Sequence, residues 1–185
     1  MGAVARGASL SGAEVVGVVP STWAPYSQPE LCRKFSATVH ARSLEHRRTE
    51  MLTRSNAVIC LPGGFGTDDE FTEVLAVNQT YRYGKVPEQR MPVIFVNING
   101  YYEDYINHVK RGLREGFRSI EDMDAVFIVD TAVQASSLID IFESEGWDGL
   151  NAQAQQCRFL NYERNGDCFE LSQPSKQVPE LARNN

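Results

Sequence analysis

The sequence predicts an α/β protein built on a parallel β-sheet with helices on both faces. Short apolar runs of strand type alternate with helical segments of ten or more residues, which is the pattern of strand–helix–strand units. Two of these runs, 93–98 and 125–130, are apolar at almost every position, as expected for strands that helices cover on both faces. We expect residues 1–147 to form one domain of this kind.

The first third of the chain is predicted to contain two helices and one strand. The helices cover residues 1–8 and 43–55, and the strand, which is β-branched and ends at a proline, covers 14–20. Residues 21–40 contain two prolines and have no clear period, so we expect a loop with at most one short turn. Because a helix that leads into a parallel strand normally follows an earlier strand, either the fold is shortened at its amino terminus or one sheet edge is unusual.

Two arginines lie on the apolar side of the helix predicted over 43–55. Arg47 and Arg48 follow Leu44 by three and four residues, so they share its face of the helix. The other apolar positions of that face are Met51 and Leu52. Because arginine is rarely buried unpaired, both residues either extend to the rim of the protein, pair with an acid such as Glu50, or have a function.

The rest of the chain is predicted to alternate helices with strands and to end in a polar tail. The helices cover 67–83, 101–116 and about 131–145, and Thr131 can cap the last one. The inward-facing residues are Phe71, Val74, Leu75 and Asn78 in the first of these helices and Tyr102, Ile106, Val109 and Leu113 in the second, which Gly116 ends. Residues 148–185 are rich in Gln, Asn and Glu, so we expect a poorly ordered tail with at most a short packed segment.

Composition and charge disfavour several classes of function. The net charge of −6 and the lack of a basic run argue against nucleic-acid binding. No apolar segment approaches the ~20 residues that span a bilayer, and no secretory signal is recognisable at the amino terminus. The four cysteines form no CxxC pair and have no histidine at metal-ligand spacing. A cytoplasmic protein with reduced thiols, and without metal or cofactor, is therefore expected.

Residues 57–70, AVICLPGGFGTDDE, form the segment on which the functional prediction depends. A five-residue apolar run ends in a glycine-rich break, and a helical pattern begins at Thr67, which is typical of a strand–loop–helix turn. Gly63, Gly64 and Gly66 allow the backbone close to a ligand, and the amino end of the helix favours an anion, above all a phosphate. The segment matches neither a Walker A loop nor the GxGxxG dinucleotide pattern.

Two interpretations of Glu70 follow from its spacing. Thr67 and Glu70 fit a capping box, in which the glutamate bonds back to the backbone at the helix start. In the other interpretation, Glu70 acts on a substrate that is anchored by its phosphate. Since phosphate repels a carboxylate, Glu70 would act some ångströms away, for example at C1 of a sugar, where a carboxylate can activate water or stabilise developing positive charge.

The segment PGGFGTDDE resembles the PGGxGTxxE motif of the Lonely Guy proteins, which are cytokinin riboside 5′-monophosphate phosphoribohydrolases and are also described as lysine decarboxylase-like. The similarity covers about residues 1–145 and includes MGAVARGA, LEHRRTEM and VIFVNINGYYEDYINHV. It implies a Rossmann-like nucleotide-binding domain and a homodimer with its active site near the subunit contact. The implied reaction hydrolyses the N-glycosidic bond of a cytokinin nucleotide or AMP to free base and ribose 5-phosphate.

The resemblance also implies roles for individual residues. Arg47 matches the catalytic arginine of the family, and Glu70 matches its catalytic glutamate. Arg48 replaces the lysine that follows the family's arginine, which keeps the charge and allows bidentate binding of phosphate. The other implied substrate-binding residues form the phosphate loop: Gly63, Gly64, Phe65, Gly66 and Thr67.

The sequence departs from the family pattern in two places. Glu45 stands where a histidine commonly precedes the arginine by two residues, and His46 lies beside it. The strand, helix, second strand and glycine-rich loop that open the family's fold do not precede the first helix here, so a truncated, non-catalytic nucleotide-binding or oligomerisation module is the alternative to an enzyme. A pyridoxal-phosphate lysine decarboxylase is disfavoured, because no lysine stands in a recognisable Schiff-base setting.

Overall fold

The computed structural model describes residues 2–23, 36–85, 89–159 and 161. These residues form two compact units, Met1–Asn56 and Ala57–Asn185. Each unit contains its own parallel sheet, and helices accompany both sheets. The predicted α/β class is therefore confirmed, and the arrangement is consistent with a Rossmann-like fold. No helix in the described part of the chain is both long enough and apolar enough to cross a membrane.

The first unit contains a two-stranded parallel sheet and two helices. In chain order its elements are helix α1 (Gly2–Leu10), strand β1 (Val16–Pro20), a 3-10 turn (Ser21–Trp23), strand β2 (Ala37–Ala41) and helix α2 (Leu44–Thr53). The two strands pair in register from Val16 opposite Ala37 to Pro20 opposite Ala41.

Strand β2 contradicts the prediction of a loop over 21–40. It is short and Ala41 is its single buried residue, so the strand has no apolar run for the sequence pattern to reveal. The β-branched pair Thr38 and Val39 suits a strand, but the prolines earlier in the segment favour a loop. Residues 24–35 of the predicted loop lie outside the described residues.

The second unit contains a three-stranded parallel sheet in the order β3-β4-β5. The strands are β3 (Val58–Cys60), β4 (Val93–Val96) and β5 (Val126–Val129). Each strand precedes one helix, and these are α3 (Phe65–Tyr83), α4 (Glu103–Arg114) and α5 (Ala132–Gln153). Consecutive parallel strands joined through a helix are the predicted strand–helix–strand units.

Helices cover both faces of this sheet. The ring of Phe95, in the middle of β4, contacts those of Phe71 on α3 and Tyr102 just before α4, each at a centroid distance of 5.0 Å. The adjacent strand residues Ile94 and Val96 belong to a second buried cluster, which includes residues of α5. Successive strand residues point to opposite faces, so α3 and α4 pack on one face and α5 on the other.

The predicted inward faces of α3 and α4 are confirmed at most positions. Six of the eight residues are 1–3% exposed: Phe71, Val74, Asn78, Tyr102, Ile106 and Val109. The side chain of Asn78 donates to the carbonyl of Met91 at 2.8 Å and accepts from its N–H at 2.9 Å. Gly116 follows α4 with φ of +78°, a left-handed conformation that suits glycine at the end of a helix.

The chain after Trp147 packs on the sheet before the described segment ends. Thr131 caps α5 in a capping box with Gln134, and the helix kinks at Gly146, where φ is 62°. Beyond the kink, the buried apolar residues are Leu150, Ala154 and Phe159. The N–H of Phe159 donates to the carbonyl of Val126 at 3.0 Å. The short packed segment thus extends to Phe159, and residues 162–185 lie outside the described part.

Candidate active site

The glycine-rich loop lies at the carboxyl end of β3, the edge where parallel sheets usually bind ligands. Helix α3 begins at Phe65, with Gly64 as its N-cap and no side-chain hydrogen bond to the cap. The predicted start at Thr67 is therefore wrong by two residues. Thr67 is the third residue of the helix and Glu70 the sixth, so the capping-box interpretation of this pair is also wrong. Glu70 is therefore not part of the cap of α3.

The three glycines of the loop differ in what surrounds them. A Cβ built on Gly63 would overlap the hydroxyl of Thr67 and lie 2.9 Å from the Cβ of Thr67. The same construction on Gly64 or Gly66 meets no atom within 4 Å. Packing thus requires glycine at position 63, whereas the backbone at 64 and 66 faces space that a ligand could enter.

The amino end of α3 can bind an anion through its backbone. The N–H groups of Thr67 and Asp68 bond to the carbonyl of Gly64 at 2.8 and 3.2 Å. Phe65 and Gly66 are the first two residues of the helix, so no residue four positions earlier lies within the helix to accept from their N–H groups. Together with the positive end of the helix dipole, they form a site suited to phosphate.

Glu70 lies close to the carboxyl end of β3. It is half-buried and stands one turn before Val74, which is fully buried, so it lies on the side of α3 that continues into the core. Burial, and then the negative charge of Glu70, raise the pKa of the Cys60 thiol to about 12. Because Cys60 is the last residue of β3, this effect locates the carboxylate near the sheet edge that carries the loop.

Two consecutive tyrosines contact the loop from the segment that follows β4. The hydroxyl of Tyr102 donates to the carbonyl of Leu61 at 2.6 Å, and that of Tyr101 donates to the carbonyl of Gly63. The N–H of Tyr102 donates to the side chain of Asn97 at 2.8 Å. In the sequence, helical periodicity identifies Tyr102 as a core residue and gives Tyr101 no role. The feature that could have indicated both tyrosines as site residues is their position just after the carboxyl end of a buried strand.

Arg47 and Arg48 lie in the first unit, on α2, and both are half-buried. The Nε of Arg47 donates to the carbonyl of Val18 at 3.1 Å, which anchors this side chain to β1. Helix α2 has no fully buried residue, and Leu44 is 52% exposed, so the expectation of a buried stripe beginning at Leu44 is wrong. The structure thus places these arginines in one unit and the loop with Glu70 in the other.

Glu50, suggested by the sequence as a partner of these arginines, bonds to two other residues of its helix region. Its carboxylate lies 3.3 Å from His46 Nε2 and 3.1 Å from Arg54 Nε. These partners, Arg54 first, hold the pKa of Glu50 below its usual value. Across the residues that the structure describes, no group of three or more His, Cys, Asp or Glu side chains could hold a metal ion.

The model of one protein family matches residues 1–139, and that family is described as "possible lysine decarboxylase". The match includes both arginines, the glycine-rich loop and Glu70, and it extends through the sheet of the second unit. It therefore covers every candidate site residue.

Curated plant proteins are similar to most of the chain. The cytokinin riboside 5'-monophosphate phosphoribohydrolases LOG4 and LOG1 of Arabidopsis thaliana are 32% identical over 133 residues and 31% identical over 144 residues. These segments are 71% and 77% of this chain, and 58% and 62% of the two relatives. The "probable" enzyme of the same name, LOGL2 of Oryza sativa subsp. japonica, is 27% identical over 168 residues, 90% of this chain and 65% of that protein. The chain thus spans about three-fifths of the length of these relatives.

Proposed function

Because the chain belongs to the Lonely Guy family, whose family model is described as "possible lysine decarboxylase", we propose that it hydrolyses the N-glycosidic bond of a nucleoside 5′-monophosphate. The substrate class is the one that the names of its relatives give, the cytokinin riboside 5′-monophosphates, with AMP as a simpler member of the same chemistry. The products are the free base and ribose 5-phosphate.

The observation that carries this proposal is the open backbone at Gly64 and Gly66. Neither glycine is required by neighbouring atoms, since a Cβ at either position meets nothing within 4 Å. Both lie at the amino end of α3, where unpaired N–H groups and the helix dipole favour an anion. The 5′-phosphate of a nucleotide is an anion that such a site accommodates, so we assign the phosphate to this loop together with Phe65 and Thr67.

Glu70 supplies the carboxylate that the reaction needs. It lies five residues after Phe65, about 7.5 Å further along the helix axis, so a phosphate at the helix start leaves it near the sugar rather than in direct contact with the phosphate. The carboxylate takes a proton from water as the water oxygen attacks C1′ and the bond from C1′ to the base nitrogen breaks. The oxygen becomes the anomeric hydroxyl of ribose 5-phosphate, and the proton that Glu70 accepted passes to the leaving base nitrogen, which restores the carboxylate.

The two arginines are assigned by the family pattern. Arg47 orients the substrate for attack, and Arg48 binds its phosphate through two parallel N–H donors. The contact of Arg47 with the carbonyl of Val18 fits this role, because it fixes a long side chain that would otherwise sample many rotamers. We also assign the protein to the cytoplasm and propose that it forms a homodimer with its active site near the subunit contact. Sedimentation of the purified chain tests whether the dimer forms.

The decisive experiment is an assay of base release by the full chain. The protein is incubated with isopentenyladenosine monophosphate or AMP, and free base is measured by chromatography, with Glu70→Gln as the inactive control. Release by the wild type and not by the variant supports the proposal. If the nucleotide binds and no base appears, the chain is the alternative, a non-catalytic nucleotide-binding or oligomerisation module.

A further inference from the structure

Two neighbouring tyrosines bond to the backbone carbonyls of the residues on both sides of Pro62. The hydroxyl of Tyr102 donates to the carbonyl of Leu61, the peptide before the proline, at 2.6 Å. The hydroxyl of Tyr101 donates to the carbonyl of Gly63, the residue after the proline. Nothing in the helical pattern of α4 requires Tyr101, which is 53% exposed and lies before the first residue of that helix.

The bond from Tyr101 determines where one backbone N–H points. The carbonyl of Gly63 and the N–H of Gly64 belong to the same peptide group, and the described peptides are all trans. In a planar trans peptide the C=O and N–H bonds point in opposite directions. When Tyr101 holds the carbonyl on its own side, the N–H of Gly64 therefore points away from the tyrosine. Gly64 is exposed and has open space around it.

The bond from Tyr102 fixes the entry to the loop. Tyr102 is 3% exposed, and its own N–H is held by the side chain of Asn97 at 2.8 Å. The buried phenol therefore has little freedom and acts as a rigid donor to the last carbonyl before Pro62. Since Pro62 has no N–H to offer, the orientation of the loop at this point depends on that carbonyl.

We infer that Tyr101 and Tyr102 are positioning residues that aim the N–H groups of the glycine-rich loop at the phosphate of the substrate. This inference deepens the proposed function, because it concerns phosphate selectivity at the same loop. The tyrosines act through the loop backbone rather than on the reacting atoms.

Tyr105 provides a matched control on the same side of the sheet. Its ring lies 5.0 Å from that of Phe71 and 5.6 Å from that of Phe95, in the aromatic cluster that also contains Tyr102. Unlike the hydroxyls of Tyr101 and Tyr102, the hydroxyl of Tyr105 makes no hydrogen bond to a loop carbonyl among the residues that the structure describes. Removal of this hydroxyl therefore alters the cluster without touching the loop.

The test compares the affinity for AMP with the affinity for adenosine, because the two ligands differ in the phosphate alone. Full-length wild type, Tyr101→Phe, Tyr102→Phe and Tyr105→Phe are titrated with both ligands by calorimetry, and their melting temperatures are recorded. Loss of one hydrogen bond that positions the loop should weaken AMP binding by roughly ten-fold in Tyr101→Phe and leave adenosine binding unchanged. Tyr105→Phe should bind both ligands as the wild type does.

Each outcome decides the inference separately from the proposed reaction. The positioning role would be overturned if Tyr101→Phe kept the wild-type preference for AMP over adenosine, or if its affinities for both ligands fell equally. It would also be overturned if Tyr105→Phe lost as much of this preference as Tyr101→Phe. If Tyr102→Phe unfolds, the exposed Tyr101 still gives the answer. A wild type that binds AMP without releasing base refutes the proposed function alone, whereas a wild type that binds no AMP refutes both.

Discussion

At the scale of single residues, the loop between β3 and α3 separates a glycine that the fold needs from two that it does not. Gly63 lies under the side chain of Thr67, and any Cβ there would displace it. Gly64 has φ of −102° and open surroundings, a conformation and a setting that alanine accepts. An alanine at position 64 would therefore fit the folded chain but occupy the space for a phosphate. Its effect on ligand binding can then be separated from its effect on stability.

Gly64→Ala should therefore abolish AMP binding while the protein keeps its stability. The free energy of unfolding is expected to stay within about 1 kcal/mol of the wild type, since alanine also restricts the unfolded chain. Gly63→Ala is the contrasting variant, and it should lower the melting temperature because Thr67 has to move. Thermal denaturation and AMP titration of both proteins provide the measurement. Wild-type affinity in Gly64→Ala would mean that the phosphate does not approach this backbone.

Glu70→Gln should remove base release with little change in stability. The structure strengthens this prediction, because Glu70 is the sixth residue of α3 and does not cap it. Loss of a general base is expected to lower kcat/KM by roughly 10²–10⁴-fold. Asp69→Asn, the exposed neighbouring carboxylate, is the control and should retain most activity. Normal turnover in Glu70→Gln would exclude a catalytic carboxylate at this position.

Arg47→Ala should cost about 2 kcal/mol or more of transition-state stabilisation, as expected for one preorganised charged group. Since Arg47 also donates to the carbonyl of Val18, the melting temperature has to be measured beside kcat/KM. Arg54→Ala, at the C-cap of the same helix and 52% exposed at its side chain, should leave the activity intact. A variant of Arg47 that is less stable but fully active would show that this arginine has only the structural contact.

At the scale of helices and strands, the sequence is informative where the pattern of burial is regular. The inward residues of α3 and α4 can be predicted because helical spacing places them on one face, and the structure buries most of them. Strand β2 cannot be predicted in this way, because only one of its residues is buried and short strands carry little periodic signal. The predicted start of α3 is displaced because Gly64 caps the helix without a side chain, while Thr67 offers a misleading capping pattern.

The candidate site, like the fold, can be predicted from the sequence only in part. The glycine-rich loop stands out in the sequence, since closely spaced glycines between a strand and a helix are typical of a turn that brings its backbone close to a ligand. Tyr101 and Tyr102 do not stand out, because they contact Gly63 and Leu61 across 38 and 41 residues, and no local pattern indicates such contacts.

Asn78 links two elements, and its removal should be costly. Its side chain makes two hydrogen bonds with the backbone of Met91, just before β4, and the residue is 2% exposed. Asn78→Ala leaves a buried N–H and a buried carbonyl without partners, so we expect a loss of about 2–4 kcal/mol in the free energy of unfolding. Urea denaturation measures it. Thr80→Ala, which removes an exposed hydroxyl of the same helix, should have a much smaller effect; equal losses would contradict the role of the buried amide.

At the scale of the whole molecule, stability should fall in alkaline solution. Burial raises the pKa of Cys60 to about 12 and raises the pKa values of Tyr102 and Tyr105, all of which are neutral when protonated. A group whose pKa is higher in the folded state contributes stability that is complete below its unfolded pKa and is lost as the pH rises through its folded pKa. For Cys60 the loss runs from about pH 9 to about pH 12. The net charge, already −6 at pH 7, becomes more negative over this range and adds self-repulsion.

Cys60→Ala tests how much of this alkaline loss one buried thiol causes. Each such group contributes a slope of up to ~1.4 kcal/mol per pH unit in the free energy of unfolding, so the variant should show a flatter decline between pH 9 and 11. The slope, measured by urea denaturation at several pH values, is the relevant quantity, because the small cavity left by alanine lowers stability equally at every pH.

Cys157→Ala is the control: its thiol is only half-buried, and its pKa is raised less. The same decline in Cys60→Ala and in the wild type would mean that this thiol ionises as readily in the folded protein as in the unfolded chain. Burial of the thiol, the larger cause of its raised pKa, would then have no effect on its ionisation, which would contradict the packing of Cys60 at the carboxyl end of β3.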